Sequence, residues 1–503
     1  MKKRLVFLVL VLVSFVVILC SCSKPNNTPT IKYKVTIIDQ ISKETEELEF
    51  DNNIISLSEL EIKEKEDYNF IGWSIDEVNI YEDERINIEA NNIIYSLWEE
   101  KINYKEIFSV GSIGRIDIYV NDPITSKKTY VTGTVSASRD DYKIEDVAAK
   151  VRLRGNSSLS APKKSYKIKF EKKQDVFGFG SDKEWALIAN YYDPSLIRNF
   201  YAYRLAQAMG VLANVDCCFV EVFLNGTYNG LYLFCETVKT GKNRIDIEVD
   251  YDDDIEDIPF LLELDYKMIS DGDPDSNGVE NVDFFYLDMR KVNNKNYPIA
   301  TKYPDTYEDI TENQFKFIRD YVRSCYDSLR TDDYEEYFDI DSVIDYFFIE
   351  ELTMNVDVEH SSVFFYREQG GKLTFGPVWD FDISMGNANY VNNYKPTVLM
   401  KDAGGGNYIF NTLLLHDDFR VKFIQRMNEV SEKILPAMFD SFTENYNILF
   451  PYQKKDNDKW TYLNKSFWPK PNYLVGLTYY EQIDYVKSFL KTHLETMKEK
   501  IVE

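Results

Sequence analysis

The sequence predicts an α+β chain in which a small β-rich module precedes a larger two-lobed domain. Three observations carry that reading. Period-2 alternation dominates from about residue 106 to about 300, and helical periodicity dominates from about 308 to 503. A separate set of short alternating segments occupies 31–102, ahead of both. At 503 residues the chain exceeds what one hydrophobic core usually fills. Its 44% hydrophobic and 15% aromatic content supplies enough apolar surface for several cores and excludes a disordered chain. The net charge of -26 turns the surface as a whole away from nucleic acid, while leaving a local basic pocket free to take a phosphorylated ligand.

Residues 1–22 read as an export signal: a basic start, then an apolar run from Leu5 to Leu19. Leu19-Cys20-Ser21-Cys22 is similar to a bacterial lipoprotein processing site, with Cys22 as the lipidated residue; a plain secreted chain and an uncleaved anchor are the alternatives. A polar linker follows at 23–30. The module at 31–102 contains YKVTII, FIGWS and a closing NNIIYSLWEE, and is expected to pack Trp73 and Trp98. It resembles the internalin B-repeat, or Listeria-Bacteroides type, of surface repeat, which implies a spacer or weak adhesin.

In the sheet-rich lobe, GRIDIYV, TYVTGTVSA and KIEDVAAKVRLRG read as strands. In KKSYKIKF, Tyr166, Ile168 and Phe170 fall on one face and Ser165, Lys167 and Lys169 on the other. That lysine face is either a solvated edge or a phosphate-facing strand. DPSLIRNFYAYRLAQAMG predicts a helix capped by Asp193 or Ser195 and stopped by Gly210. CCFVEVFLNGTYNGLYLFCETV predicts a hairpin turning at Asn225-Gly226, and PFLLELDY a further strand. Cys217, Cys218, Cys235 and Cys325 lack metal-ligand spacing and are expected as buried thiols. The three histidines, His360, His416 and His493, are too far apart in sequence to suggest a zinc site.

In the helix-rich lobe, ENQFKFIRDYVRSCYDSL and DIDSVIDYFFIEELTMNVD are amphipathic, the second opening on Asp339 or Asp341. SVFFYREQGGKLTFGPVWDF returns as a hairpin turning at Gly370-Gly371. Such a hairpin brings NVDVEHSS, with Asn355, Asp357 and Glu359, to the same end as Asp380 and Asp382 of GPVWDFDISMGN. Read as extended chain, WDFD points both acids one way and Trp379 and Phe381 the other. Gathered carboxylates call for a cation or a shared proton. Three chemistries fit: metal-assisted phosphoryl transfer, glycoside hydrolysis and a calcium-stabilised binding module. The lysine face favours the first.

RLRGNSSLSAPKKSYKIKF, WALIANYYDPSLIRN, FLNGTYNGLYLFCETV, KNRID, FLLELDY, NVDVEHSSVFFYRE and GPVWDFDISMGN occur in that order. Together they resemble the CotH kinase (spore coat protein H-like) family over 106–503. The resemblance implies an atypical protein-kinase-like fold and an ATP- and Mg²⁺- or Mn²⁺-dependent protein serine kinase acting on an exported protein; the lipid expected on Cys22 would separately anchor it at the cell surface. It makes Asp357 the catalytic aspartate and Asp380 and Asp382 the metal site. The phosphate contact falls to Lys164, Lys167 or Lys169, with Lys167 central on the polar face. Glu236 is the candidate ion-pair partner of that lysine. Arg154 and Asn156 form a turn that either closes over phosphate or is structural; Asp193 and Arg198 are expected to pair locally, and His360 either orients the acceptor hydroxyl or is structural. The alternative is a non-catalytic adhesin or assembly lipoprotein that uses the acids only to hold a cation.

Overall fold

Alternation in the first part of the chain becomes sheet, but not a single sheet. A computed structural model describes residues 32–247, 255–266, 284–289, 295–304 and 310–502, apart from 82, 90, 91, 405 and 406; the signal segment and Cys22 lie outside these. The chain divides into two units, Met1–Ile102 and Asn103–Glu503.

In the first unit, β1 (Tyr33–Asp39), β2 (Thr45–Phe50), β4 (Tyr68–Ser74) and β6 (Ile93–Glu100) form a sheet in the order β2-β1-β6-β4. The short β3 (Ile54–Ser56) and β5 (Arg85–Asn87) pair beside it. Its core gathers Val35, Ile55, Ile86, Ile94 and Trp73. Phe70 meets the rings of Trp73 and Trp98 edge-on at 5.0 and 5.4 Å.

The second unit begins with a closed barrel of β7 (Gly114–Val120), β8 (Val131–Arg139), β9 (Tyr142–Arg154), β10 (Ser165–Asp175), β11 (Ser181–Ile188), β12 (Cys217–Leu224) and β13 (Thr227–Glu236). The strand order is β10-β11-β13-β12-β7-β8-β9, closed through β9 and β10. Tyr166, Ile168 and Phe170 fill its interior. The apolar run of β12 is explained by burial on both faces: Cys218, Val220 and Val222 enter the barrel, while Cys217 and Phe219 join the larger core outside it. That outer core is shared with α1 (Arg198–Ala208) and with a second sheet, β15-β16-β14-β17-β18. This sheet joins β14 (Phe260–Leu264), β15 (Phe284–Met289) and β16 (Lys295–Tyr303) to β17 (Val363–Arg367) and β18 (Thr374–Phe375). Strands predicted early and late in the chain therefore share one layer.

The C-terminal region is helical: α2 (Glu312–Ser328), α3 (Ile340–Thr353), α4 (Asp417–Lys433), α5 (Leu435–Trp460) and α6 (Tyr479–Val502), with shorter turns between them. Thr311 and Gln314 cap α2 reciprocally, and Asp339 caps α3. The result is an α+β architecture, barrel first and helices last, consistent with a bilobal kinase-like fold. Among the described residues no helix is long and apolar enough to cross a membrane.

The last turns of α5 dock on the β12–β13 hairpin. Asp456 accepts from the Leu231 amide at 2.9 Å and pairs with Lys163 at 2.9 Å, with both charged side chains fully buried. Trp460 donates to the Asn229 carbonyl at 2.8 Å. Gly230 makes this approach possible: its φ is +143°, and an added Cβ would stand 2.5 Å from Asp456 Oδ1 and 2.9 Å from the Lys163 side chain. Gly230→Ala is expected to destabilise the fold by about 2 kcal/mol through overpacking and backbone strain, read as a lower urea midpoint at unchanged slope. An unchanged midpoint would count against this account of the contact.

Candidate functional site

Two stretches of sequence, YYDPSLIRN and WDFDISMGN, are locked together before any chemistry is possible. The predicted helix starts later than its cap signals suggest: α1 begins at Arg198, with Ile197 rather than Asp193 or Ser195 in the N-cap position. Asp193 instead serves the first helical amide from five residues upstream. Its carboxylate accepts from the amides of Ser195 (3.0 Å) and Arg198 (2.9 Å) and pairs with the Arg198 guanidinium, all fully buried. Arg198 then donates through Nε to the Ser384 carbonyl (3.0 Å) and through Nη2 to that of Met385 (3.3 Å). Asn199 accepts from the Phe381 amide at 2.7 Å, and Asn387 donates to the carbonyls of Tyr192 and Asp382, each at 2.7 Å. Trp379 stacks on Tyr203 of α1 at 5.7 Å.

Held this way, the acidic stretch is not a strand. β18 ends at Phe375, and Asp380 adopts φ +69°, a left-handed conformation that breaks strand alternation. The expected geometry of WDFD is therefore corrected: Trp379 and Phe381 are buried anchors, and a turn rather than a pleat sets the two acids. Asp357 lies in the turn after α3, which a left-handed Met354 terminates. Its amide donates to Asn355 Oδ1 at 3.2 Å, and its carbonyl accepts from the amides of His360 and Ser361.

Asp357, Asp380 and Asp382 line one cleft of about 620 Å³. Burial first, and then the charges of these same three acids, push the Tyr390 phenol up, so they share one neighbourhood. Arg154 and the loop Gly155-Asn156-Ser157-Ser158 also line the cleft, as do Glu263, Lys302 and Trp468. The Arg154 guanidinium lies 5.0 Å over the Trp379 ring. Glu263 and Lys302 pair at 3.0 Å across β14 and β16, and burial raises the Glu263 carboxyl despite that partner. Neither residue was singled out from the sequence; the signal was an acid inside FLLELDY, the same oddity that drew attention to WDFD.

The lysine face divides. Lys167 lines a smaller adjoining pocket together with Lys127, Arg152 and Arg154, and pairs with Glu184 at 2.7 Å. Lys169 pairs with the same carboxylate at 3.1 Å and is half exposed; Lys164 donates to the Leu159 carbonyl. Neither lines the cleft, whereas Lys163 does. Burial works to raise Glu184, yet the two lysines hold it at about 2. Glu236 does not pair with this face. It sits opposite Trp185, whose ring points into the barrel, whereas Lys167 sits opposite Ala186 on the outer side. Its partner is Arg244. Glu359 also turns elsewhere, accepting from the Tyr297 hydroxyl at 2.6 Å and the Tyr408 amide at 3.1 Å. His360 stacks on Tyr266 at 4.9 Å outside the cleft lining.

Among the described residues, no three carboxylate, histidine or cysteine side chains gather closely enough to hold a metal ion by themselves. The donor set is nonetheless chemically suited to a hard divalent ion. Magnesium is commonly held by one or two carboxylates, with phosphate oxygens and waters completing its shell.

A family profile described as CotH kinase protein matches residues 151–497. The match covers the YYDPSLIRN and WDFDISMGN stretches and Asp357, and does not reach the module at 31–102. Comparison with curated proteins finds no match.

Two expectations follow from the buried groups. Arg198→Met strands the Asp193 charge and is expected to cost about 3–5 kcal/mol; adding Asp193→Asn should recover part of it, as measured by urea denaturation. Glu350, buried beneath the Asp357 turn, is pushed up to about 8, chiefly by burial. Its proton is kept in the folded chain and lost earlier in the unfolded one, so the stability this group contributes is fully present below about pH 4.5 and is lost as pH rises towards 8, by at most about 1.4 kcal/mol per unit. Glu350→Gln should flatten that slope; denaturant midpoints at three pH values between about 5 and 8 decide it.

Proposed function

The chain belongs to the CotH kinase family, membership that supports kinase-like phosphoryl transfer in general, and from that premise we propose an ATP- and divalent-metal-dependent kinase acting on serine hydroxyls of an exported protein. The observation that carries this reading is the cleft in which Asp357, Asp380 and Asp382 meet Arg154, Lys302 and the Gly155–Ser158 loop. Acids alone would suit a cation store. Acids together with a guanidinium, an ammonium and a turn of small polar residues suit a polyphosphate.

The roles follow from charge and position. Asp380 and Asp382 would hold Mg²⁺ or Mn²⁺, which when bound offsets the charge on the transferring phosphoryl oxygens. Asp357, on the neighbouring turn, orients the acceptor hydroxyl and takes its proton. Arg154, fixed over Trp379, is the preferred phosphate contact. Lys167, Lys164 and Lys169 are assigned a lesser part, because the first and third share the Glu184 carboxylate and the second is spent on a main-chain carbonyl. In this reading the N-terminal module and a lipid on Cys22 would hold the catalytic unit at the cell surface.

Incubation of the purified protein and serine-rich exported proteins with γ-labelled ATP tests this directly. Label should appear only with Mg²⁺ or Mn²⁺ and fall by at least about 10²-fold in Asp357→Asn, with folding unchanged by circular dichroism. Absence of label from the wild type with both metals and several acceptors would overturn the proposal.

A further inference from the structure

The sequence suggested four buried, unlinked thiols, and all four of these cysteines are buried and reduced in this structure. Two of them nevertheless face each other. Cys217 and Cys235 are direct cross-strand partners in the antiparallel β12–β13 pair. Antiparallel partners alternate between hydrogen-bonded pairs and closer pairs without such bonds, whose Cα atoms stand about 4.5 Å apart. The next pair along is hydrogen-bonded, because the Glu236 amide donates to the Asp216 carbonyl at 3.1 Å. Cys217 and Cys235 must then be of the closer kind. Independently, the Cys217 carbonyl points away from β13, accepting from Arg204 Nη2 at 2.6 Å, as that alternation requires. Both side chains lie in the same outer core, whereas Cys218 lies inside the barrel and Cys325 is in α2.

We propose that Cys217 and Cys235 form a cross-strand disulfide when the chain folds in the presence of a small-molecule disulfide such as oxidised glutathione. The Cα spacing expected of a closer pair falls within the range of native disulfides, about 4.4–6.8 Å. The balance is a thiol–disulfide exchange. One cysteine thiolate attacks the oxidant and releases one thiol, and the second cysteine then displaces the other. The two cysteine S–H bonds and the oxidant S–S bond are lost; one protein S–S bond and two new thiols are gained. Two electrons pass from the cysteine pair to the oxidant. Burial pushes the folded Cys217 thiol up to about 11 and the Cys235 thiol well up too, so too little thiolate is available after folding. The bond is therefore made during folding, not added to the finished protein.

The full chain is unfolded and reduced, then refolded with excess oxidised glutathione or with dithiothreitol, and each product is alkylated in denaturant. The oxidised product should protect the Cys217 and Cys235 thiols and yield a linked peptide containing both. Cys218→Ala should keep the link, and Cys235→Ser should abolish it. Oxidant added to the already folded reduced protein should form it at least about tenfold more slowly than refolding does. The linked chain should also show a higher urea midpoint than its dithiothreitol-refolded counterpart. Alkylation of both Cys217 and Cys235 after oxidative refolding, or a link through Cys218, overturns the proposal.

Discussion

The buried pair between Asp193 and Arg198 is the constraint on which the cleft rests. A guanidinium taken wholly out of water must have its charge and donors answered. Here the answer comes from one carboxylate, the Ser195 hydroxyl and two carbonyls of the acidic stretch. Because those carbonyls belong to Ser384 and Met385, satisfying Arg198 also dictates the path of the chain between Trp379 and Asn387. Asn199, next in sequence, fixes the Phe381 amide. A local electrostatic requirement in one segment thus becomes backbone geometry in another nearly two hundred residues away.

The chemistry inherits that rigidity. Asp380 and Asp382 are carried on irregular backbone, which would be a poor platform were it not held by buried donors on one side and by Trp379 and Phe381 on the other. Asp357 comes from a different element, the turn after α3, and meets them only because β17 and β18 bring the chain back. Positive groups arrive from still other places: Arg154 from the end of a barrel strand and Lys302 from the second sheet. A cleft assembled from so many elements gains its charge pattern from the fold as a whole, in a molecule otherwise strongly acidic.

Faces were legible in the sequence; partners were not. KKSYKIKF gave its inward and outward residues correctly, Asn225-Gly226 marked its turn, and Asp339 marked the start of α3, since each depends on neighbours a few residues away. Closure of the barrel was hidden, because alternation says which side of a strand is apolar and nothing about which strand lies beside it. The same limit misdirected Glu236. Only the register across β11 reveals that it faces the interior with Trp185, while Glu184 stands on the lysine side. In the candidate site, the residue types were readable from acids placed among aromatics. The left-handed turn at Asp380 was not, because its cause is long-range. Lys302 carried no local signal at all.

The clasp of α5 on the barrel bears on how firmly the cleft is framed. This helix begins near α1, where Tyr201 stacks on Phe442 at 4.2 Å and bonds Ser441 at 2.9 Å, and ends at Gly230 on the barrel hairpin. It acts as a cross-brace along about 39 Å of its 26 residues. Swinging the barrel away from the helices would prise Lys163 from Asp456 in a dry contact, a penalty of about 3–5 kcal/mol. The enclosure is built as a truss, and its lining includes the Gly155–Ser158 turn and Trp468, whose ring stacks on Tyr390 at 5.7 Å.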